Sequence, residues 1–453
     1  VTNRQTIYAV STAPGKAAVA MVRLSGPGTG DAVRRLVGDL PTPRRASLRA
    51  IRDPATGEVI DRGIVLWLRA PATFTGEDMA ELQVHAGRAV IADLLAALGS
   101  EPGLRPAEPG EFAKRAFLNG KVDLTAAEGI ADLVEADTAA QRRQALRQLD
   151  GEFGRLVEAW RERLVRALAR VEAEIDFADE NLGGSEEVRV RHDMSCLSRE
   201  ITQYLDDGRR GERLREGLSV AIVGPPNAGK SSLLNYLARR EAAIVSTVAG
   251  TTRDVIEVHL DIGGYPVVLA DTAGMRTAAD EVEEEGVRRA LARAHAADLR
   301  LVVVEAGAWP EVDPGTLKLI DKDSILVLNK IDLVGGREGM DAVTLGDRTE
   351  RAEATVVVSI TRGDRLGELV AALDRAVAAR LETGTEAPAI TRARHRAALS
   401  DCVAALERYE SAPPGELAAE DLRLALRALG RITGRVGVED ILDVVFRDFC
   451  IGK

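Results

Sequence analysis

The stretch SVAIVGPPNAGKSSLLNYLARR, residues 219–240, decides how the middle of this chain folds. Ser219 to Val223 reads as an apolar strand, and SSLLNYLARR as a helix. Between them, Gly224–Ser231 fits the phosphate-binding pattern G-x-x-x-x-G-K-[ST]. In a strand–loop–helix of this kind, backbone N–H groups of the loop and of the first helical turn surround a phosphate. Lys230 is placed to reach the β/γ oxygens, and the Ser231 hydroxyl to bind magnesium.

Three further elements follow in the order that a guanine-nucleotide site requires. DTAG (Asp271, Thr272, Ala273, Gly274) follows the strand YPVVLA and supplies an acid for the magnesium shell and a glycine N–H for the γ-phosphate. NKID follows the strand ILVLN. There Asn329 and Lys330 flank the nucleotide, and the Asp332 carboxylate accepts both N–H groups of guanine, which adenine does not offer. SIT follows VVV and brings Ser359 and Ile360 to the guanine oxygen by backbone N–H, in place of the commoner Ser-Ala-Lys. Together these resemble a GTP-binding domain of the translation-factor-like class. Between the first two elements lies AAIVSTVAGTTRD, in which Thr251 and Thr252 both offer a hydroxyl to magnesium. Where Ras-like enzymes carry a water-orienting glutamine, this chain has Met275, which cannot orient water. The acidic run DEVEEEG (Asp280–Gly286) offers carboxylates that act directly or through a second water, or simply form the negative first turn of a helix. The Asn227 carbonyl oxygen, inside the phosphate loop, suits a monovalent cation standing in for an arginine finger.

Outward from this unit the composition changes twice. Residues 1–120 alternate apolar runs such as AAVAMVRL and GIVLWLRA with Gly/Pro-rich connections and read as a small α/β domain. Residues 121–215 read as helix, with Val157, Trp160, Leu164, Leu168, Val171 and Ile175 forming one apolar stripe. The nucleotide unit occupies 216–379, and helical periodicity returns over 380–453 at Leu422, Leu426, Leu429 and Ile432. The expected architecture is therefore an α/β amino-terminal domain and a helical domain made of two segments, with a P-loop domain inserted between the segments.

The chain has 453 residues, 45% hydrophobic and 29% charged, and shows no apolar run near the roughly 20 residues of a membrane span. The amino terminus has no secretory pattern, and three cysteines do not make a disulfide framework, so a reducing, cytoplasmic setting is expected. A net charge of −11 gains little from counterion release, so any RNA contact needs a local basic patch or a second protein. The terminal CIGK departs from a prenylation box at Gly452 and Lys453, so no membrane anchor is expected. Cys450 either ends the apolar stripe Val438, Ile441, Leu442, Val445, Phe446 and Phe449, or acts as a thiolate beside Arg447 and Lys453.

Several segments carry a resemblance along the whole chain: GPPNAGKSSLLN, AIVSTVAGTTRD, DTAGMR with DEVEEEG, FTGEDMAELQVHAG, GEFAKRAFLNGKVDLTAAEGI and the terminal FCIGK. They resemble the MnmE (TrmE) family of bacterial and organellar tRNA modification GTPases, within the TrmE-Era-EngA-like class. The resemblance implies an N-terminal folate-binding and dimerising domain, a two-segment helical domain and an inserted GTPase domain. It implies GTP contacts from Asn227, Ala228, Gly229, Lys230, Ser231 and Ser232 and from Ser246, Thr247, Val248, Ala249, Gly250, Thr251 and Thr252. Potassium is implied at Asn227, Ser246, Val248 and Thr251, and magnesium at Ser231 and Thr252, with Glu283 as the catalytic glutamate. A 5-formyl- or 5,10-methylene-tetrahydrofolate pocket maps onto Arg23, Glu81, Lys121 and Lys453, and Cys450 falls in the same site. A homodimer is implied, activated by pairing of GTPase domains, acting with the flavoprotein MnmG (GidA), which carries FAD and NADH. The implied substrate is the wobble uridine of certain tRNAs, which gains an aminomethyl or carboxymethylaminomethyl group at C5. The competing reading is an RNA-associated ribosome-assembly or regulatory GTPase. That class usually appends a basic or KH-type unit, and no such unit is evident here.

Overall fold

The computed structural model describes residues 5–176, 185–240, 257–271, 292–334, 349–382 and 388–436, with Leu442, Val445, Phe446, Phe449 and Gly452 beyond them. The chain divides into two compact units, one of residues 1–131, 148–195 and 401–453, the other of 132–147 and 196–400.

The first unit opens with strands β1 (Thr6–Val10), β2 (Val19–Ser25), β3 (Ser47–Arg52), β4 (Val59–Leu68), β5 (Met79–His85) and β6 (Leu104–Pro106). They form one sheet in the order β3-β4-β5-β2-β1-β6, antiparallel except for the β1–β6 pair. Alternate residues leave a strand on opposite faces. One set, including Val22, Leu24, Trp67, Leu82 and Val84, is buried under α1 (Thr29–Val37) and α2 (Arg88–Gly99). On the other side Ile7, Ala9 and Met79 are buried with Phe112 of α3 (Glu111–Leu118). The α/β character expected from the apolar runs is thus present.

Helices α4 (Leu124–Glu135), α5 (Ala139–Leu149), α6 (Glu152–Asp176), α7 (Ser185–Leu205) and α8 (Arg210–Glu216) follow. Along α6 the inward residues are Val157, Trp160, Leu164, Ala167 and Val171. Leu168 and Ile175 are half-buried, and Ala167 takes an inward place on the stripe.

The second unit holds β7 (Leu218–Val223), β8 (Glu257–Ile262), β9 (Tyr265–Asp271), β10 (Leu299–Glu305), β11 (Ser324–Asn329) and β12 (Ala354–Val357). Their order is β12-β11-β10-β7-β9-β8, parallel throughout except where β8 returns beside β9. Both faces are covered, which is why β7, β10 and β11 read as near-continuous apolar runs. Val220, Ile222, Leu301 and Val327 are buried with α9 (Lys230–Arg240) and α10 (Leu366–Leu381). Ala221, Val302, Leu326 and Leu328 belong to the cluster on the opposite face. The central strand β7 lies between β9 and β10, which run to opposite sides of it, so its carboxyl end is a topological switch point.

Helices α11 (Ala393–Ser411) and α12 (Glu416–Thr433) follow. In the first unit α12 lies along α6 and buries Leu422, Leu429 and Ile432, so a helical pair is built from distant segments. No described helix is long and apolar enough to cross a membrane.

Candidate nucleotide and folate sites

The nucleotide site is built at the switch point. Gly224 has φ +139°, and a Cβ there would overlap the Val303 carbonyl oxygen, so glycine lets the chain leave β7 tight against β10. Asn227 (φ +62°) and Gly229 (φ +105°) turn the loop through the left-handed region. α9 then starts at Lys230, and its first-turn N–H groups have no carbonyl partner inside the helix, which makes them phosphate donors. The Lys230 ammonium lies across the loop, bonded to the Gly224 and Pro225 carbonyls at 2.8 and 2.7 Å. Ser231 and Ser232 are exposed on the first turn.

Asn329, at the end of β11, is buried. Its Nδ2 donates to the Ala228 carbonyl at 2.8 Å, and its Oδ1 accepts from the Ile360 N–H at 3.1 Å. One amide therefore ties the phosphate loop to the segment expected at the guanine oxygen. Lys330 takes φ +62° and pairs with Glu305 at 2.9 Å. The Ser359 hydroxyl donates to Asp332 Oδ1 at 2.6 Å and holds that carboxyl below the usual range, with Arg362 also nearby. An ionised Asp332 keeps acceptor capacity for two guanine N–H groups. The structure thus brings together Asn227, Ala228, Gly229, Lys230, Asn329, Asp332, Ser359 and Ile360.

Asp271 closes β9 opposite Ile222 of β7, and Ser231 lies on the first turn of α9, which follows β7 through the phosphate loop. A hydroxyl and a carboxylate are hard oxygen donors, a donor set that fits magnesium. Ser246, Thr247, Val248, Ala249, Gly250, Thr251, Thr252, Thr272, Ala273, Gly274, Met275 and Glu283 lie outside the described residues.

In the first unit Arg23 and Glu81 are register partners on β2 and β5. They bond to each other, Nη2 to Oε1 at 3.0 Å and Nε to Oε1 at 3.2 Å, with the guanidinium 5.9 Å from the Phe112 ring centroid. The two residues expected to hold separate parts of a folate are thus one ion pair. The Lys121 methylenes lie against Gly76 in the β4–β5 connection. Cys450 and Lys453 lie outside the described residues, but Gly452 is fixed: Ser11 Oγ donates to its carbonyl at 2.9 Å. Gly452 takes φ +98°, and a Cβ there would come within 2.6 Å of the Val10 carbonyl oxygen. Phe446 and Phe449, rings 5.3 Å apart, pack on Gly110 at the start of α3. Ser11, Phe112 and Glu305 had no signal in the sequence, because each acts through a partner far along the chain. Of the two remaining cysteines, Cys402 is buried, which pushes its thiol up to about 12, and Cys196 is half-buried with Arg199 at 3.2 Å.

Two family models match the chain, the GTP-binding protein TrmE N-terminus over residues 6–121 and the MnmE helical domain over 124–450. The tRNA modification GTPase MnmE of Paramagnetospirillum magneticum is 56% identical over 450 residues, spanning 99% of this chain and all of the relative. The mitochondrial 5-taurinomethyluridine-[tRNA] synthase subunit GTPB3 of Danio rerio is 50% identical over 465 residues, covering 99% of this chain and 93% of the relative. Among solved structures, the G domain of the T. maritima FeoB iron transporter is 26% identical. That match covers 35% of this chain and 98% of that one, with a TM-score of 0.26.

Proposed function

The chain belongs to the MnmE (TrmE) family of tRNA modification GTPases, and we propose that it drives an aminomethyl or carboxymethylaminomethyl addition to C5 of the wobble uridine. Its GTPase activity in tRNA modification is the shared premise of the family. The uridine target is supported by the name of the Danio rerio relative, which speaks of a taurinomethylated uridine in tRNA. The proposed one-carbon donor is a 5-formyl- or 5,10-methylene-tetrahydrofolate held in the amino-terminal domain, 1–120. The proposed partner is the flavoprotein MnmG with FAD and NADH, in a cytoplasmic complex with a homodimer of this chain. The helical segments 121–215 and 380–453 flank a GTPase domain over 216–379.

The observation that carries the nucleotide part is the Asn329 amide, which holds the phosphate loop and the guanine segment in one site. In this reading the loop and α9 N–H groups take the phosphate oxygens, and Lys230 turns from the loop carbonyls onto the β/γ oxygens. Asp332 accepts the two guanine N–H groups. Glu283 orients the attacking water through a second water, the task for which Met275 has no suitable atom. Ser231, Thr252 and the Asp271 acid would hold a magnesium ion, and Asn227, Ser246, Val248 and Thr251 a potassium ion, which together would supply the positive charge that an arginine finger supplies elsewhere.

For the folate, the Arg23–Glu81 pair offers a guanidinium to a tail carboxylate and a carboxylate to a pterin donor edge, once a ligand separates them. Ser11 supports the reading by holding Gly452 at the carboxyl end of β1. Cys450 then serves as nucleophile or proton carrier in the one-carbon step.

The test is mass spectrometry of wobble uridines in cells lacking this protein, with wild type or Asp332→Asn restored. Wild type is expected to return the modification. Asp332→Asn loses an acceptor for guanine, so purified variant should bind GTP about 100-fold or more weakly while accepting xanthosine triphosphate better. Unmodified uridine with wild type restored would overturn the assignment.

A further inference from the structure

The segments that lead into and out of the nucleotide domain meet on one carboxylate. Asp132, near the end of α4, accepts from Arg215 Nε at 2.9 Å and from Arg392 Nη2 at 2.7 Å, both on Oδ1. Arg215 sits in α8, directly before β7 and the phosphate loop. Arg392 sits directly before α11, after the guanine segment and α10 have passed. Asp132 is only 8% exposed, so water screens this cluster little.

The same two segments are also joined to each other. Arg396 reaches Asp207 at 2.7 Å and Glu212 at 3.3 Å, and the Tyr204 hydroxyl donates to the Pro388 carbonyl. At Gly211 a Cβ would overlap the Ile390 carbonyl oxygen, so the two stretches touch backbone to backbone. Helix α5 is tied on both sides, once to α8 and once to the sheet. Gln141 donates to the Arg215 carbonyl at 3.0 Å, and the Ala140 N–H donates to the Gly264 carbonyl at 3.1 Å. Gly264 belongs to the turn from β8 into β9, and β9 ends at Asp271.

Two features separate this cluster from a rigid strut. A cavity of about 210 Å³ opens beside it, lined by Asp132, Gln141, Gln144 and Arg215 among others. Two buried acceptors on that lining, Asp132 Oδ2 and Gln144 Oε1, have no hydrogen-bond partner. Buried acceptors are normally satisfied. Here they provide a second set of positions for the guanidinium donors, and the cavity provides room to reach them. A packed network with two arrangements is the kind of element that converts a small local change into a discrete shift.

We infer that Asp132 is a positioning residue of a relay that carries the state of the nucleotide site into the helical segments, so that GTP hydrolysis is coupled to tRNA modification. The relay rests on the proposed function. Its two stable arrangements differ in whether the arginines share Oδ1 or move one donor to Oδ2 or Gln144.

The test uses full-length protein carrying Asp132→Asn, or Gln144→Leu, which removes the idle Oε1 acceptor together with the Nε2 bond to the Gly211 carbonyl at 3.3 Å. GTP turnover of each purified variant is compared with the modified uridine it restores in cells lacking the protein, at matched protein level. Turnover is expected to stay within about twofold of wild type, while modification falls about tenfold or more, the range of ordinary coupling energies. Arg392→Lys, which keeps the charge, is expected to recover part of the modification relative to Arg392→Gln. Modification that falls only in step with turnover or with folded protein would overturn the relay, as would wild-type modification by both variants. If Asp132→Asn does not fold, Gln144→Leu alone decides by the same ratio. A wild-type copy that restores no modification counts against the function reading beneath the relay.

Discussion

From a buried position, Asn329 donates one hydrogen bond to the phosphate loop and accepts one from the guanine segment, the two elements that enclose the nucleotide. Replacing it with alanine leaves the Ala228 carbonyl and the Ile360 N–H without their partner, each loss costing about 1–3 kcal/mol where water cannot enter. Because the loop and the guanine segment then move independently, the loss should also reach the ligand. Asn329→Ala is expected to weaken GTP binding about tenfold or more, read by titration with a fluorescent guanine nucleotide, and to lower the urea midpoint. An unchanged affinity would mean that the two elements hold their places without the amide. Asn329 was legible from its motif as a nucleotide-site residue, but its brace was not. Its partners are backbone groups 101 and 31 residues away, and a side-chain pattern carries no mark of them.

At the scale of elements, periodicity carried the most. The stripe on α6 and the apolar runs of β7, β10 and β11 follow from burial on one face or two, and the structure keeps them except that Leu168 and Ile175 are only half-buried while Ala167 turns inward. Cross-strand register was not legible, and so the Arg23–Glu81 pair appeared only in three dimensions. The anchoring of α3 was equally hidden. Glu111 bonds Arg105 through both oxygens at 2.6 and 2.7 Å and Arg115 at 2.9 Å, and Arg115 continues to Glu77 at 2.9 Å. Burial pushes the Glu111 carboxyl up, but the bonds from Arg105, the Glu108 N–H and Arg115 outweigh it, and the net is below the ordinary 4.5. A depressed carboxyl adds stability that is complete above its unfolded pKa and is lost as pH falls through its folded one. Glu111→Gln should therefore lower the urea midpoint at pH 7, and the gap to wild type should close as pH drops below about 4.5. A gap that stays constant from pH 7 to pH 3 would assign the loss to packing instead of charge.

For the whole molecule, the chain passes between its two compact units inside continuous helices α4, α5, α7 and α11. Composition showed an inserted domain, yet not where its two junctions meet, because Asp132 and Arg392 are 260 residues apart and neither lies in a motif. The net charge of −11 bears on the proposed pairing of two copies. Like-charged chains repel at low ionic strength, and any salt relieves this by screening. A specific cation role must therefore be separated from screening, which sodium and potassium provide equally. If a cation at Asn227 supplies the charge of an arginine finger across paired domains, turnover per chain should rise with protein concentration in potassium. In sodium at the same ionic strength it should be at least about tenfold lower, a modest share of what a finger contributes. Rates that match in the two salts and do not change with protein concentration would remove both the cation and the pairing from the mechanism. Rates that match but still rise with concentration would retain the pairing and remove only the cation at Asn227.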